Sequence, residues 1–198
     1  MLIMRMLGIC LAGLLMFAPM VAHAIETAGA SRCAIRGYLS DRDPKGTNVR
    51  AAPRANAPVI GLLPPQSRLE NEDEIVGVAF EIIGSKDGWL LIQNPDRGAL
   101  GGPGWISGRL VGFTIGSPRL LASPADNAKT VASLQFSGDE GVGPDSFEVR
   151  QVHACQGHFA EVTIRLAPSI KPQPGMDKPL RGWVGKVCSN QLTTCDPY

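Results

Sequence analysis

The sequence has almost no net charge, few aromatic residues and no long apolar run after its first 24 residues. Arg5 is the only charged residue among those 24, so the rest of the chain carries 18 basic and 18 acidic residues. This balance gives no reason to expect a nucleic-acid partner. No later stretch approaches the roughly 20 apolar residues of a membrane-spanning helix, so we expect no membrane insertion once residues 1–24 are removed.

Signatures of catalysis are also missing. There is no Gly-x-Ser-x-Gly elbow, and the glycine-rich stretch 98–104 lacks the Lys-Ser/Thr pair and the helix of a phosphate loop. Residues 41–46 resemble the start of a calcium loop, but Lys45 and Ala52 stand where that pattern needs oxygen ligands, which favours an ordinary turn begun by Asp43-Pro44. We therefore expect no catalytic residue, no metal and no cofactor.

A zinc site is the alternative use of the cysteines. Cys155, Cys188 and Cys195 could combine with His153 and His158, but the spacing contains no Cys-x-x-Cys pair. An exported protein also meets conditions that oxidise thiols, so disulfides are favoured over zinc and over a catalytic cysteine.

The first 24 residues have the pattern of a signal peptide. Arg5 precedes the apolar run 7–16, and Ala22-His23-Ala24 supplies the small residues of a cleavage site. Cys10 follows Ile9, whereas a lipid-modified cysteine follows a small residue. We expect an exported protein, periplasmic or secreted, that begins at Ile25.

Four cysteines follow the signal peptide, and an even number predicts two disulfides. If residues 164 and 181 flank an antiparallel hairpin loop, Cys155 falls nearly opposite Cys188, which leaves Cys33 to pair with Cys195. The alternative, Cys33 with Cys155 and Cys188 with Cys195, remains open. Because Cys33 is alone in its half of the chain, either pairing joins the two halves.

The chain contains a weak internal repeat. A shift of 71 residues aligns the segment 49–63 with 120–134, a shift of 70 aligns 82–92 with 152–162, and a shift of 78 aligns Gly104-Trp105 with Gly182-Trp183. Three blocks that recur in one order indicate a duplication, with small differences in loop length between the copies.

Each copy reads as a compact β unit. With 23 Gly, 16 Pro and no long helical periodicity, short strands joined by turns are favoured, so the predicted fold class is all-β. The predicted domains are residues 25–113 and 114–198, with a short joint near residues 113–118. The predicted strands are 59–63, 76–83, 89–93 and 104–107 in the first copy, and 147–153, 159–164 and 181–187 in the second.

The first copy resembles the bacterial SH3-like domain. The matching elements, in chain order, are Asn48-Val49-Arg50, Ala52-Pro53, Val59-Ile60-Gly61, Gly88-Trp89 and Gly104-Trp105-Ile106. The second copy lacks Asn-Val-Arg and has Phe159 in place of the first tryptophan, so it is a divergent member. The resemblance implies two tandem small β-barrels and a binding or targeting role at the bacterial cell wall.

The leading hypothesis is therefore a non-enzymatic module that binds peptidoglycan or a periplasmic protein. The candidate ligand-binding residues are Tyr38, Asp41, Arg42, Trp89 and Trp105, although the Gly-Trp tryptophans also fit a structural role in the core. The competing hypotheses are a disulfide-locked accessory protein that docks on one protein partner, and a small hydrolase.

Overall fold

The computed structural model describes residues 24–69, 73–136, 142–171, 176 and 178–195. The predicted signal peptide lies outside these residues except for Ala24. In the described part of the chain the fold is all-β, as predicted: it consists of strands and two short 3₁₀ helices, with no α-helix. No helix in these ranges is long and apolar enough to cross a membrane.

The strands divide at the predicted joint. Those of the first unit, residues 24–113, are β1 (Ser31–Leu39), β2 (Thr47–Arg50), β3 (Val59–Leu63), β4 (Ser67–Arg68), β5 (Ile75–Val76), β6 (Ala79–Lys86), β7 (Trp89–Gln93), β8 (Gly104–Ser107) and β9 (Val111–Gly112). Those of the second unit, residues 114–195, are β10 (Thr114–Ile115), β11 (Arg119–Leu121), β12 (Thr130–Ser133), β13 (Phe147–Gln156), β14 (Phe159–Leu166), β15 (Leu180–Val184) and β16 (Val187–Cys188). The 3₁₀ helices are Gly108–Leu110 and Pro144–Ser146.

The strands form two large antiparallel sheets and two small ones. The first large sheet has the order β3-β2-β8-β7-β6-β1-β9, and the second has the order β12-β11-β15-β14-β13. The pairs β4-β5 and β10-β16 complete the set. Neither large sheet closes on itself through its hydrogen-bonded ladders in the described residues.

The two large sheets share one topology. The order β3-β2-β8-β7-β6 recurs as β12-β11-β15-β14-β13. The pairing register recurs as well, at the shifts found in the sequence, and so does a bulge in the β6–β7 and β13–β14 hairpins. Equivalent pairs are Arg50–Trp105 and Leu121–Trp183, Leu91–Trp105 and Glu161–Trp183, and Ile82–Ile92 and Val152–Val162.

The tight turns follow from local chemistry. Lys86 pairs with Trp89, so β6 and β7 are joined by the two residues Asp87 and Gly88. Both have positive φ, 52° and 78°, which an Asp-Gly pair tolerates well. The predicted strand 89–93 is confirmed, whereas the strand predicted at 76–83 lies at Ala79–Lys86, after the short separate strand Ile75–Val76.

One hydrophobic core runs through both units. It includes Ile82 and Ile106 from the first unit, and Val152 and Ile164 from the second. The joint between them is part of this core: Phe113 and Ile115 are both at least 98 % buried. The two units are therefore packed against each other along their length, and the joint cannot act as a flexible linker.

The disulfides are Cys33–Cys155, with Cα atoms 5.7 Å apart, and Cys188–Cys195, with Cα atoms 5.8 Å apart. The favoured pairing of Cys155 with Cys188 is wrong. That prediction extended the β14–β15 register as far as Cys155, but the chain reverses at Gly157 and places Cys155 on β13 instead. Cys33 does join the two units, and two disulfides indicate a non-reducing, exported environment.

Candidate functional site

A groove of about 1250 Å³ lies between the two units. We call it the inter-unit groove. The end of β1 and the loop after it form one wall, the start of β13 forms another, and the C-terminal disulfide loop borders the groove. Its lining includes Tyr38, Arg42, Ile75, Arg109, Glu148, Arg150, Gln191 and Leu192, with Phe113 and Phe147 at its floor.

Tyr38 is held in this groove by its position on β1. Its neighbour across the ladder is Gly112, and a side chain there would come within 2.6 Å of the Tyr38 ring. Burial raises the pKa of the Tyr38 hydroxyl, the charge of Glu148 adds to that shift, and a polar contact with Thr114 opposes it. At neutral pH the groove therefore presents a neutral phenol that can donate a hydrogen bond.

Three arginines line the groove together with two carboxylates, those of Asp145 and Glu148. Arg150 lies 3.4 Å from the carboxylate of Glu148, and both side chains are exposed. Arg42 and Arg109 are exposed and have no carboxylate within 4 Å among the described residues. The guanidinium groups of this pair remain available to an anionic ligand.

The C-terminal loop is fastened to the first unit by Gln191. Its Oε1 accepts a hydrogen bond from the Gly77 backbone N–H at 2.7 Å, and its Nε2 donates to the Gly77 carbonyl at 2.9 Å. Thr114 donates from its hydroxyl to the carbonyl of Asn190. Together with the Cys188–Cys195 disulfide, these bonds fix the wall of the groove formed by residues 191–194.

The predicted ligand-binding residues are not all brought together. Tyr38 and Arg42 line the groove, but Asp41 is used internally: it accepts hydrogen bonds from the Thr47 hydroxyl at 2.5 Å and from the backbone N–H of Asp43 at 3.1 Å. This supports the turn interpretation of residues 41–46 over a calcium loop.

The two tryptophans lie elsewhere. Tyr38 pairs with Ala79 at the start of β6 and Trp89 pairs with Lys86 at its end, which separates them by about 23 Å along the strand. Trp105 is fully buried, and its indole N–H donates to a backbone carbonyl at 2.9 Å. The structure therefore supports a structural role for Trp105 in the core, and not a role in ligand binding.

Sequence reasoning missed Arg109, Arg150 and Gln191. No motif marks them, and they converge only through packing of β13 and the C-terminal loop against the first unit. The one available signal was the short spacing of Cys188 and Cys195, which predicts a closed loop if these two residues pair.

The cysteines and histidines that could have formed a zinc site or a catalytic site make other contacts. All four cysteines are oxidised in pairs, so the zinc alternative loses its thiolates. His153 lies 2.8 Å from the Thr163 hydroxyl, and its pKa is lowered by burial and then by the nearby Arg181. Within the described residues, no cluster of three or more His, Cys, Asp or Glu side chains is arranged to hold a metal ion.

Comparison with protein-family models finds no match to this chain, and comparisons with curated proteins and with solved structures find none either.

Proposed function

We propose that this protein is an exported, non-enzymatic module of two SH3-like units that binds cell-wall peptidoglycan in the inter-unit groove. The repeated strand order and the ordered set of Asn-Val-Arg, Val-Ile-Gly and Gly-Trp elements support the SH3-like assignment. In this proposal each sheet is one strongly bent small-barrel sheet, and the two barrels share one core.

The observation that carries the proposal is the chemistry of the groove. Peptidoglycan combines a hydroxyl-rich glycan with short peptides that bear carboxylates. Arg42 and Arg109 offer cations that no described carboxylate pairs with, and Tyr38 offers a ring and a hydroxyl donor. The volume and open form of the groove suit a chain-like ligand.

Docking on a periplasmic protein is a second candidate. Two aliphatic side chains at the groove, Ile75 and Leu192, are 59 % and 48 % exposed. Exposed aliphatic groups beside unpaired arginines are also the composition of a protein-binding surface.

The test is co-sedimentation of the oxidised chain, residues 25–198, with purified peptidoglycan. We expect binding that falls at least tenfold in the double variant Arg42→Ala/Arg109→Ala and also falls in Tyr38→Ala. Arg32→Ala is the matched control, because Arg32 is an exposed arginine of β1 outside the groove. Its binding should equal that of the unsubstituted protein.

Three outcomes would contradict the proposal. Unchanged binding by the double variant would remove the groove as the site. No sedimentation of the unsubstituted protein would remove peptidoglycan as the ligand and favour the protein partner. Release of soluble fragments from the peptidoglycan would overturn the non-enzymatic assignment.

A further inference from the structure

The two units carry the same loop beside their equivalent tryptophans. In the first unit it follows β2 and in the second it follows β11. Three backbone hydrogen bonds of this loop recur at a shift of 71 residues. In the first unit they run from Ala51 N–H to Pro58 O, from Arg54 N–H to Ala52 O and from Ala57 N–H to Arg54 O. In the second unit they run from Ala122 N–H to Lys129 O, from Ala125 N–H to Ser123 O and from Ala128 N–H to Ala125 O. The main chain of the loop therefore makes the same hydrogen bonds in both units.

In the first unit, the N-terminal segment 25–28 covers the space between this loop and Trp105. A single residue makes both main-chain contacts: the Glu26 N–H donates to the Ala51 carbonyl at 2.9 Å, and the Glu26 carbonyl accepts from Trp105 Nε1 at 2.9 Å. Trp105 is 0 % exposed and Ala51 is 4 % exposed.

In the second unit, no residue that the structure describes makes the equivalent contacts. We call the equivalent space the Trp183 cleft and define it by Leu121, Ala122, Phe159 and Trp183. Ala122 is exposed and Trp183 is only half-buried. Among the described residues, no group is hydrogen-bonded to the Ala122 carbonyl or to the Trp183 indole N–H. The chain before β11 does not cross the cleft, because β10 pairs with β16 instead.

We propose that the Trp183 cleft binds an extended polypeptide segment of a partner protein, in the way that the first unit binds its own N-terminal segment. One ligand residue donates its N–H to the Ala122 carbonyl and accepts from Trp183 Nε1–H with its carbonyl. In the first unit the equivalent surface binds the backbone N–H and carbonyl of one residue, which identifies a polypeptide as the class of the ligand. This site goes beyond the proposed function, since none of its four residues lines the inter-unit groove.

The side chains of the cleft define the ligand further. Leu121 and Phe159 are buried and also line a neighbouring cavity of about 410 Å³, whose walls include Arg119, Asp126 and Lys186 and neither Ala122 nor Trp183. In the first unit the Glu26 carboxylate contacts Arg54 at 2.6 Å and Lys86 at 3.1 Å.

The positions equivalent to those two cations are Ala125 and Gln156, which carry no charge. The cleft therefore favours a neutral residue at the position of Glu26. The N-terminal segment of a second copy has the acidic residue and already occupies its own site, so the ligand is a segment of a different protein.

The test uses indole N–H resonances in the ¹⁵N-labelled chain, residues 25–198, which contains three tryptophans. The probe is the peptide acetyl-Ile-Gln-Thr-Ala-Gly-amide, which copies the N-terminal segment with a neutral residue in place of Glu26. We expect a saturable shift of the Trp183 resonance and none of the Trp105 resonance. The same peptide with Glu in place of Gln should bind several-fold more weakly.

The decisive control is the same peptide carrying an N-methyl group on its Gln nitrogen, which cannot donate to the Ala122 carbonyl. It should give no saturable shift, and this comparison needs no protein variant. In the protein, Trp183→Phe keeps an aromatic ring but removes the N–H, so it should lose at least tenfold in affinity for the Gln peptide, measured from the shifts of the Ala122 amide. Trp89→Phe is the matched control and should bind normally.

The inference would be overturned if the Gln peptide produced no saturable shift up to its solubility limit, or if the N-methylated peptide bound equally well. A shift of Trp105 in place of Trp183 would likewise contradict it, since it would show that the peptide displaces the N-terminal segment from the first unit. None of these outcomes depends on binding to peptidoglycan.

Discussion

Removal of the Cys33–Cys155 disulfide should cost much more stability than removal of Cys188–Cys195. The first closes a loop of 122 residues and the second a loop of 7. Loop-closure entropy in the unfolded chain gives about 4.9 kcal/mol for the long loop and about 2.4 kcal/mol for the short one. Cys33 and Cys155 are also buried, so their replacement by alanine removes packing and adds to the loss in the same direction.

The measurement is equilibrium urea unfolding of the oxidised chain and two double variants, Cys33→Ala/Cys155→Ala and Cys188→Ala/Cys195→Ala. The second variant is the control for the chemistry of the substitution. We expect the free energy of unfolding to fall by about twice as much in the first variant as in the second. Equal losses, or a larger loss for the short loop, would refute the argument that closure of the long loop dominates.

Two further predictions concern single residues. Gly77→Ala should lower the free energy of unfolding by about 2 kcal/mol or more, because the new Cβ would lie 1.8 Å from the Leu39 carbonyl oxygen. Gly101→Ala is the control: its Cβ would have no atom within 4 Å, so its free energy of unfolding should be nearly unchanged in the same urea titration. The His153 pKa is lowered in the folded state, so the unfolded chain binds a proton first and stability falls as pH drops below about 6.5. His153→Gln should reduce the loss of stability between about pH 7 and pH 5, and an identical loss in both proteins would contradict this.

The seven predicted strands correspond to β3, β6, β7, β8, β13, β14 and β15, and they could be predicted because their signals are local. The strands Val59–Leu63, Trp89–Gln93 and Gly104–Ser107 begin and end where the sequence indicated. Turn residues and short apolar runs define such elements without knowledge of their neighbours. The repeat also gave the correct alignment of the two sheets, since equivalent residues pair with equivalent partners.

The longest strand that sequence reasoning missed is β1. Its alternation is visible afterwards: Cys33, Ile35, Gly37 and Leu39 are buried, and the residues between them are more exposed. However, arginines and a glycine interrupt its apolar pattern, and its partner β6 lies some 50 residues further along the chain. Neither the interrupted apolar pattern nor the distant partner strand can be recognised from neighbouring residues alone.

The site was harder to predict than the strands because it depends on how the units pack. Tyr38 and Arg42 meet Arg109 and Arg150 only when β13 lies against the first unit. The disulfide error has the same origin, since it extended a correct local register past a reversal of the chain. Long-range placement in this protein comes from packing of the shared core, and no motif records it.

The second copy differs from the first at the loop beside its tryptophan, and this difference is consistent with the proposed Trp183 cleft. In the first unit Arg50 donates to the Ala57 carbonyl at 2.8 Å and so braces the loop that the N-terminal segment covers. The equivalent residue in the second unit is Leu121, whose apolar side chain cannot donate such a hydrogen bond and is buried beneath the cleft. Leu121 is only 2 % exposed, and as an apolar residue it places no unpaired charge in the cleft when the cleft is empty. In the proposed site an arginine at position 121 would bring an unpaired charge into the cleft, so a Leu121→Arg variant should weaken binding at Trp183 while leaving the inter-unit groove unaffected.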